Sequence, residues 1–325
     1  MRTFRTDVSI RPAITRITLK TPILTAGSCF ADAIGQRLLQ FKFPALANPF
    51  GVTYNPLSIH KQLLRSIGND RPEPHTFLKS QQVHLSYDFH SELSALTREE
   101  LFHKIAHTTE TTHHFLKTAC WIMLTYGTAW VYERKDTRDV VANCHKVPQS
   151  EFSKRLLAES EIVSSFEKLA EELRALNPAA RFILTVSPVR HLKDSLELNS
   201  VSKSILRTAC HALSTRFAHV EYFPGYEIML DDLRDYRFYK SDMIHPTEDA
   251  EEYIWDKFAE GYFDEKTKVF LASWSGILTA LNHRPFYPAS ENHQKFLRDT
   301  LKKLELFKDT VNVDEEIAIV EKQLL

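Results

Sequence analysis

Long apolar runs are missing from this sequence. No stretch reaches the roughly 20 apolar residues of a membrane-spanning helix, and the residues after Met1 lack the apolar region of a signal peptide. The cysteines lie far apart and form no C-x-x-C pair; they are Cys29, Cys120, Cys144 and Cys210. This spacing is typical of reduced thiols rather than of a disulfide framework. We therefore expect a cytoplasmic protein that has no membrane partner.

An excess of charge of either sign is also missing. The chain has 41 Lys and Arg residues against 42 Asp and Glu residues. Proteins that bind the phosphate backbone of nucleic acids usually carry clustered positive charge, and this composition offers none overall. We expect no nucleic-acid partner.

Metal-binding motifs are absent as well, although the chain has 15 histidines. No H-E-x-x-H occurs, and His113 and His114 are adjacent rather than one helical turn apart. The remaining histidines are scattered through polar sequence. We expect no metal, and no motif indicates a cofactor.

Two nearly continuous apolar runs, at 119–126 and 181–188, are typical of central parallel strands that are covered on both faces. Amphipathic stretches separate the strands, including a predicted long helix, or two helices, at 150–176. This alternation predicts an α/β fold with a parallel sheet covered by helices on both faces. We assign residues 1–260 to this domain and 261–325 to a helical C-terminal extension packed on it.

The stretch 21–38 reads as strand, sharp turn and helix. Its apolar residues change from a short run to helical spacing at Gly27-Ser28. Ser28 would lie at the N-terminus of the helix, where free N–H groups attract negative charge. A hydroxyl in this position is suited to nucleophilic chemistry, and the alternative is an ordinary N-cap.

A second pattern, Asp242-x-x-His245, precedes Pro246 and an acidic helix start. Nucleophilic serine chemistry needs an imidazole to accept the hydroxyl proton and a carboxylate to orient that imidazole. Asp242 is close enough in sequence to orient the imidazole of His245 within one loop. The same spacing also arises by chance.

Five stretches in this order resemble the GSCFA-domain family, which looks like a branch of the SGNH (GDSL-like) hydrolase superfamily. The resemblance covers about residues 20–260 and implies an SGNH-hydrolase-like three-layer sandwich. The stretches are 27–31 (GSCFA), 48–56 (NPFGVTYNP), 125–132 (TYGTAWVY), 187–191 (SPVRH) and 237–246 (RFYKSDMIHP).

The resemblance implies that Ser28 is the nucleophile and that Asp242 and His245 complete a catalytic triad. Gly27 stands where the superfamily often has Asp. Gly51 resembles the glycine of the second block, whose N–H would form an oxyanion hole together with the Ser28 N–H.

The third block departs from the superfamily pattern, because Gly127-Thr128 stands where Gly-x-Asn is usual. Either Asn48 or Asn55 would supply the missing amide, or backbone groups and the Thr128 hydroxyl would replace it. The choice matters, since losing one such donor costs about 100- to 1000-fold in kcat.

Further residues are candidates for substrate binding, with a solvated loop as the alternative. Arg190 and His191 follow the second buried strand, at the sheet edge where α/β proteins bind ligands. Arg237 lies near the Asp242-x-x-His245 pattern, and Asn55 lies in the loop at 48–56.

These residues predict a serine-type esterase or deacylase that acts on a small-molecule or glycan ester. An acyltransferase would use the same triad, and a catalytically weak carbohydrate- or ligand-binding protein would keep the same fold. A third alternative makes Cys29 the nucleophile, because a helix N-terminus activates a thiol. Nothing in the sequence indicates an oligomeric state.

Overall fold

The computed structural model describes residues 6–325, so the first five residues of the domain predicted at 1–260 lie outside the described residues. In this part of the chain the strands are β1 (Ile23–Gly27), β2 (Ala45–Ala47), β3 (Phe77–Ser80), β4 (Val83–Ser86), β5 (Trp121–Tyr126), β6 (Trp130–Arg134), β7 (Val140–Val141), β8 (Phe152–Leu156), β9 (Arg181–Val186) and β10 (Val220–Tyr222). The helices are α1 (Cys29–Gln40), α2 (Pro56–Gly68), α3 (Arg98–Leu116), α4 (Glu159–Leu176), α5 (Leu196–Arg216), α6 (Gly225–Glu227), α7 (Glu248–Tyr262), α8 (Glu265–Leu281), α9 (Glu291–Glu305) and α10 (Asp314–Glu321).

Five strands form a parallel sheet in the order β10-β9-β5-β1-β2. From β1 the chain first adds β2 on one side and then adds β5, β9 and β10 on the other. The strand order therefore reverses between β1 and β5, where Gly27 pairs with Thr125. In open α/β sheets, the crevice beyond the carboxyl ends of such strands is where ligands bind.

Alternate side chains of the sheet enter two hydrophobic clusters, one on each face. In β5, Trp121 and Met123 join the cluster that contains Phe30 of α1 and Phe258 of α7. Ile122 and Leu124 of the same strand join the other cluster, with residues of α2, α4 and α5. Every residue of β5 is buried, as the apolar run predicts. The predicted α/β sandwich with helices on both faces is confirmed.

The C-terminal helices α8, α9 and α10 pack on the face that carries α1. Trp274 of α8 belongs to the same hydrophobic cluster as Phe30, and its indole N–H donates to the Gln40 carbonyl at 2.8 Å. Lys42 forms an ion pair with Glu316 of α10 at 2.5 Å. The helical character predicted for the C-terminal region is confirmed.

Residues 150–156 differ from the prediction of a long helix at 150–176. The chain forms β8 there, which pairs antiparallel with β6 and aligns Leu156 with Trp130, and α4 begins only at Glu159. Pairing with a distant strand overrides the local helical pattern, because strand propensity depends strongly on neighbouring strands. The short edge strand β2 is a further element that the sequence pattern does not predict.

In the residues that the structure describes, no helix is long and apolar enough to cross a membrane.

Candidate active site

The turn after β1 places Ser28 at the N-terminus of α1. Gly27 has φ +137°, and a Cβ there would lie 2.2 Å from the Thr125 carbonyl oxygen, so only glycine fits. The Ser28 N–H donates to the same oxygen at 3.1 Å, and the Ser28 Oγ accepts from the Phe30 N–H at 3.3 Å. Ser28 is therefore the N-cap of α1, on a turn pressed against β5.

The segment after β2 folds across this turn and brings Asn48 beside it. The Asn48 Oδ1 accepts from the Gly27 N–H at 3.0 Å, and the Thr53 N–H donates to the Gly27 carbonyl at 2.8 Å. Asn48 itself has φ 44°, a left-handed conformation that Asn tolerates better than most residues. Its Nδ2 is buried and has no hydrogen-bond partner within residues 6–325. An unused amide donor is thus held next to the Ser28 turn.

The other predicted oxyanion donors already have partners. The Gly51 N–H donates to the Asn48 carbonyl at 2.8 Å, as the Ser28 N–H does to Thr125. The Thr128 hydroxyl is hydrogen-bonded to Ser202 at 3.1 Å and accepts from the Trp130 N–H at 3.1 Å.

Asn55 is likewise committed to a structural role. Its Oδ1 caps α2 by accepting from the Ser58 N–H at 2.9 Å, and its Nδ2 donates to the Ser58 hydroxyl at 3.0 Å. Of the two asparagines considered for the missing third-block amide, Asn48 is therefore the one with an unused donor.

Asp242 and His245 form a hydrogen-bonded pair within one short loop. His245 Nδ1 lies 2.7 Å from Asp242 Oδ2, and Asp242 Oδ1 accepts from the N–H groups of Ile244 at 2.8 Å and His245 at 3.0 Å. These bonds hold the pKa of Asp242 well below its usual range, so it remains a carboxylate. Because a carboxylate only accepts, Nδ1 donates to Asp242, which leaves Nε2 as the ring nitrogen that can accept a proton.

Arg190 fixes this loop to the carboxyl edge of the sheet. Arg190 lies shortly after β9, and its backbone N–H donates to the Ile244 carbonyl at 3.2 Å. Its guanidinium lies 3.8 Å from the centroid of the Tyr239 ring and donates to the Met243 carbonyl at 3.5 Å. Arg190, predicted to bind substrate, thus contacts and positions the loop that carries Asp242 and His245.

Ser28 and His245 reach the same sheet edge but are not hydrogen-bonded to each other within the described part of the chain. Ser28 is 0% exposed, whereas the side chain of His245 is 41% exposed. Proton transfer between them therefore requires a conformational change that brings His245 Nε2 to the Ser28 hydroxyl.

Lys203 of α5 is a site residue that the sequence reasoning missed. It is 1% exposed, and its Nζ donates to the carbonyls of Gly127 at 2.8 Å and Ser187 at 2.7 Å. It thereby links the two segments that follow β5 and β9. No carboxylate lies within 4 Å of its Nζ among residues 6–325, and burial lowers its pKa to about 7. The sequence feature that could have identified Lys203 is its position on the apolar face of a helix, three residues before Leu206.

His191 lies between this lysine and the loop at 48–56. Its ring packs edge-on against Tyr54, with centroids 5.1 Å apart, and a Cβ on Gly127 would lie 3.2 Å from its Nε2. Burial, together with the charge of Lys203, lowers the pKa of His191 to about 3, so the ring is neutral.

Arg237, the last predicted substrate-binding residue, lies on the surface. Its side chain is 75% exposed and its guanidinium packs over Phe238 at 4.8 Å. These contacts agree with the solvated-loop alternative.

A cavity of about 480 Å³ opens beside the carboxyl edge. Its lining includes Tyr54, Asn55, Thr128 and His191 but not Ser28.

No group of three or more His, Cys, Asp or Glu side chains in the described residues is arranged to hold a metal ion.

The fold and this geometry define a class of protein. It is a three-layer α/β protein with a serine on a glycine turn at the point where the strand order reverses, and with an Asp–His pair at the same edge. Residues 22–258 match the GSCFA family, and residues 274–325 match the C-terminal domain of GSCFA domain proteins. The chain therefore belongs to the GSCFA family, as its motifs indicate. No curated protein matches the chain.

Proposed function

We propose that this protein is a serine-type hydrolase that acts on ester bonds, as an esterase or deacylase related to the SGNH superfamily. One observation carries the proposal. The preformed Asp242–His245 pair, joined at 2.7 Å, is tied by Arg190 to the sheet edge at which Ser28 follows β1. A nucleophile, a base and a group that orients the base thus share one edge of the sheet.

In this mechanism the conformational change first brings His245 Nε2 within hydrogen-bond reach of the Ser28 Oγ. His245 accepts the hydroxyl proton as Oγ attacks the ester carbonyl, and Asp242 stabilises the imidazolium that forms. The oxyanion of the tetrahedral intermediate accepts a hydrogen bond from the Asn48 Nδ2, which has no other partner in the described chain.

Collapse of this intermediate releases the alcohol, which takes the proton from His245 and leaves an acyl group on Ser28. Water then attacks the acyl-enzyme with His245 again as base, which frees the acid and restores the serine. Acyl transfer would follow the same steps with an alcohol in place of water. The pocket's exclusion of water would decide between the two reactions.

The surroundings of Cys29 do not activate its thiol. Burial raises the pKa of the thiol despite its place at the start of α1, so less of the reactive thiolate forms than in an ordinary cysteine.

A second candidate function is ligand binding without turnover. The complete burial of Ser28 and the lack of a Ser28–His245 hydrogen bond within residues 6–325 favour it.

The cytoplasmic location of the protein also stays a prediction.

Turnover of 4-nitrophenyl acetate separates the two functions. We expect Ser28→Ala and His245→Ala to lower kcat by about 1000-fold or more, and the neighbouring Cys29→Ala to serve as the matched control with far smaller loss. A serine-directed phosphonate should label Ser28, as mapped by mass spectrometry. Equal turnover by the wild type and Ser28→Ala would refute the proposed hydrolase.

A further inference from the structure

The cavity of about 480 Å³ is built from several separate parts of the chain. Its walls come from the segment at 52–55, from His90, from Thr128 and β6, from the segment at 141–149, from Lys154 of β8 and from the turn at 191–194. The volume lies within the range of small-molecule sites. The segment at 52–55 connects the cavity to the Ser28 turn, because the Thr53 N–H donates to the Gly27 carbonyl at 2.8 Å.

Positive charge is concentrated in this cavity, although the whole chain has a net charge of −1. Lys146, Lys154 and Lys193 line it, and Asp194 is the one carboxylate among its lining residues. Asp194 is paired with Lys154. Within residues 6–325, neither Lys146 nor Lys193 has a carboxylate within 4 Å. The cavity therefore carries two uncompensated ammonium groups.

Aromatic side chains hold two of these lysines over the cavity. The Lys154 Nζ lies 4.7 Å from the centroid of the Trp130 ring, and the Lys193 Nζ lies 5.5 Å from that of Tyr132. Lys193 also lies within hydrogen-bond distance of the Tyr132 hydroxyl, at 3.3 Å. Such cation–π contacts favour defined positions for the ammonium groups over extension into solvent.

Lys146 is presented by a strained segment. Both His145 and Lys146 have left-handed backbone angles, φ 48° and 61°, which residues other than glycine rarely adopt. The buried His145 ring anchors the segment, with Nε2 2.7 Å from the Ser86 carbonyl and Nδ1 3.2 Å from the Ser91 hydroxyl. Strain of this kind persists only where surrounding contacts enforce it, and it concentrates at ligand-binding sites.

We propose that this cavity binds the anionic group of the substrate, a carboxylate or a phosphate on a body the size of one sugar. Lys146 and Lys193 supply the uncompensated charge, and the aromatic side chains contact the apolar part of the ligand. As a statement of substrate class this rests on the proposed hydrolase function. As a binding site it is tested independently of turnover.

Binding is measured by calorimetry with three probes of similar size: glucuronate, glucose 6-phosphate and neutral glucose. The proteins are the wild type, Ser28→Ala, the Lys146→Gln/Lys193→Gln double variant, and Lys266→Gln as an exposed control on α8. We expect at least one anion to bind wild type and Ser28→Ala about tenfold more tightly than glucose. The double variant should lose this preference and Lys266→Gln should keep it. The two anions separate carboxylate from phosphate recognition.

A kinetic arm compares mono-4-nitrophenyl succinate with neutral 4-nitrophenyl butyrate. The ratio of their kcat/KM values should fall about tenfold in the double variant and with added salt. Equal binding of glucose and both anions, or an unchanged preference in the double variant, would overturn the inference and leave the hydrolase intact. Selective anion binding together with full turnover by Ser28→Ala would reject the hydrolase and leave the anion site intact.

Discussion

His245 Nδ1 lies 2.7 Å from the Asp242 carboxylate, and the same carboxylate accepts the backbone N–H of His245 at 3.0 Å. The carboxylate thus holds both the ring and the main chain of the residue proposed as the base. Asp242 therefore orients His245 before any substrate is present. The loop's own contacts, rather than the sheet, set this geometry.

The first prediction concerns the coupling of these two residues. Asp242→Asn removes the carboxylate that stabilises the imidazolium, so kcat should fall by about 1000-fold or more. His245→Ala should cost at least as much, and the double variant little more than His245→Ala alone. Steady-state kinetics of the three variants measure this. Losses that multiply would show that Asp242 and His245 do not act as a unit.

The second prediction concerns Asn48. Its Oδ1 accepts from the Gly27 N–H, and its Nδ2 has no hydrogen-bond partner among residues 6–325. Asn48→Asp keeps an acceptor for Gly27 but replaces the donor with an anionic oxygen, so kcat should fall by about 100- to 1000-fold. Asn48→Ala loses both the Oδ1 acceptor and the Nδ2 donor. Comparing its kcat with that of Asn48→Asp separates oxyanion stabilisation from support of the Gly27 turn. Wild-type kcat in Asn48→Asp would remove the oxyanion role.

The third prediction follows from the burial of Lys203, whose pKa is about 7 instead of the ordinary 10.5. Between these values an unfolded chain binds a proton that the folded chain does not, so this lysine makes stability rise with pH. The slope approaches about 1.4 kcal/mol per pH unit. The difference in unfolding free energy between wild type and Lys203→Met should therefore grow from pH 7 to 9.

Urea titrations at several pH values measure that difference, and groups common to both proteins cancel. Even at pH 7, Lys203→Met should be destabilised by about 1–3 kcal/mol for each carbonyl left without its donor, those of Gly127 and Ser187. A difference that does not change with pH would show that Lys203 titrates at its ordinary value in the fold.

The fourth prediction uses two glycines. Gly27→Ala combines an unfavourable φ of +137° with a Cβ 2.2 Å from a carbonyl oxygen, so it should lower stability by more than about 2 kcal/mol. Gly276→Ala in α8 meets nothing within 4 Å and should raise stability by about 0.5–1 kcal/mol. Thermal unfolding compares them. A neutral Gly27→Ala would mean that the turn relaxes easily.

The parts of this molecule that local pattern determines were predictable from sequence. The change of apolar spacing at Gly27-Ser28 locates the β1–α1 turn, and continuous apolar runs identify β5 and β9. The Asp242–His245 pair was also predictable, because three residues of separation let one loop form it.

Features that depend on partners distant in the chain were not predictable in this way. Phe152–Leu156 becomes a strand because β6 lies beside it, and Lys203 acts on carbonyls that lie 76 and 16 residues away. The cationic cavity likewise combines segments that are distant in the chain. Proposing Asn48 rather than Asn55 as the amide donor likewise depends on which Nδ2 is already bonded in the fold.

The packing of α8 against α1 makes the C-terminal helices part of the support for Ser28, the proposed nucleophile. Ser28 caps α1, Trp274 bonds the last residue of that helix, and Phe30 and Trp274 share one hydrophobic cluster. Truncating the chain before α8 would uncover the apolar face of α1 and remove its fixed end. The two regions that match separate GSCFA segments should therefore melt as one cooperative unit, and neither should be stable by itself.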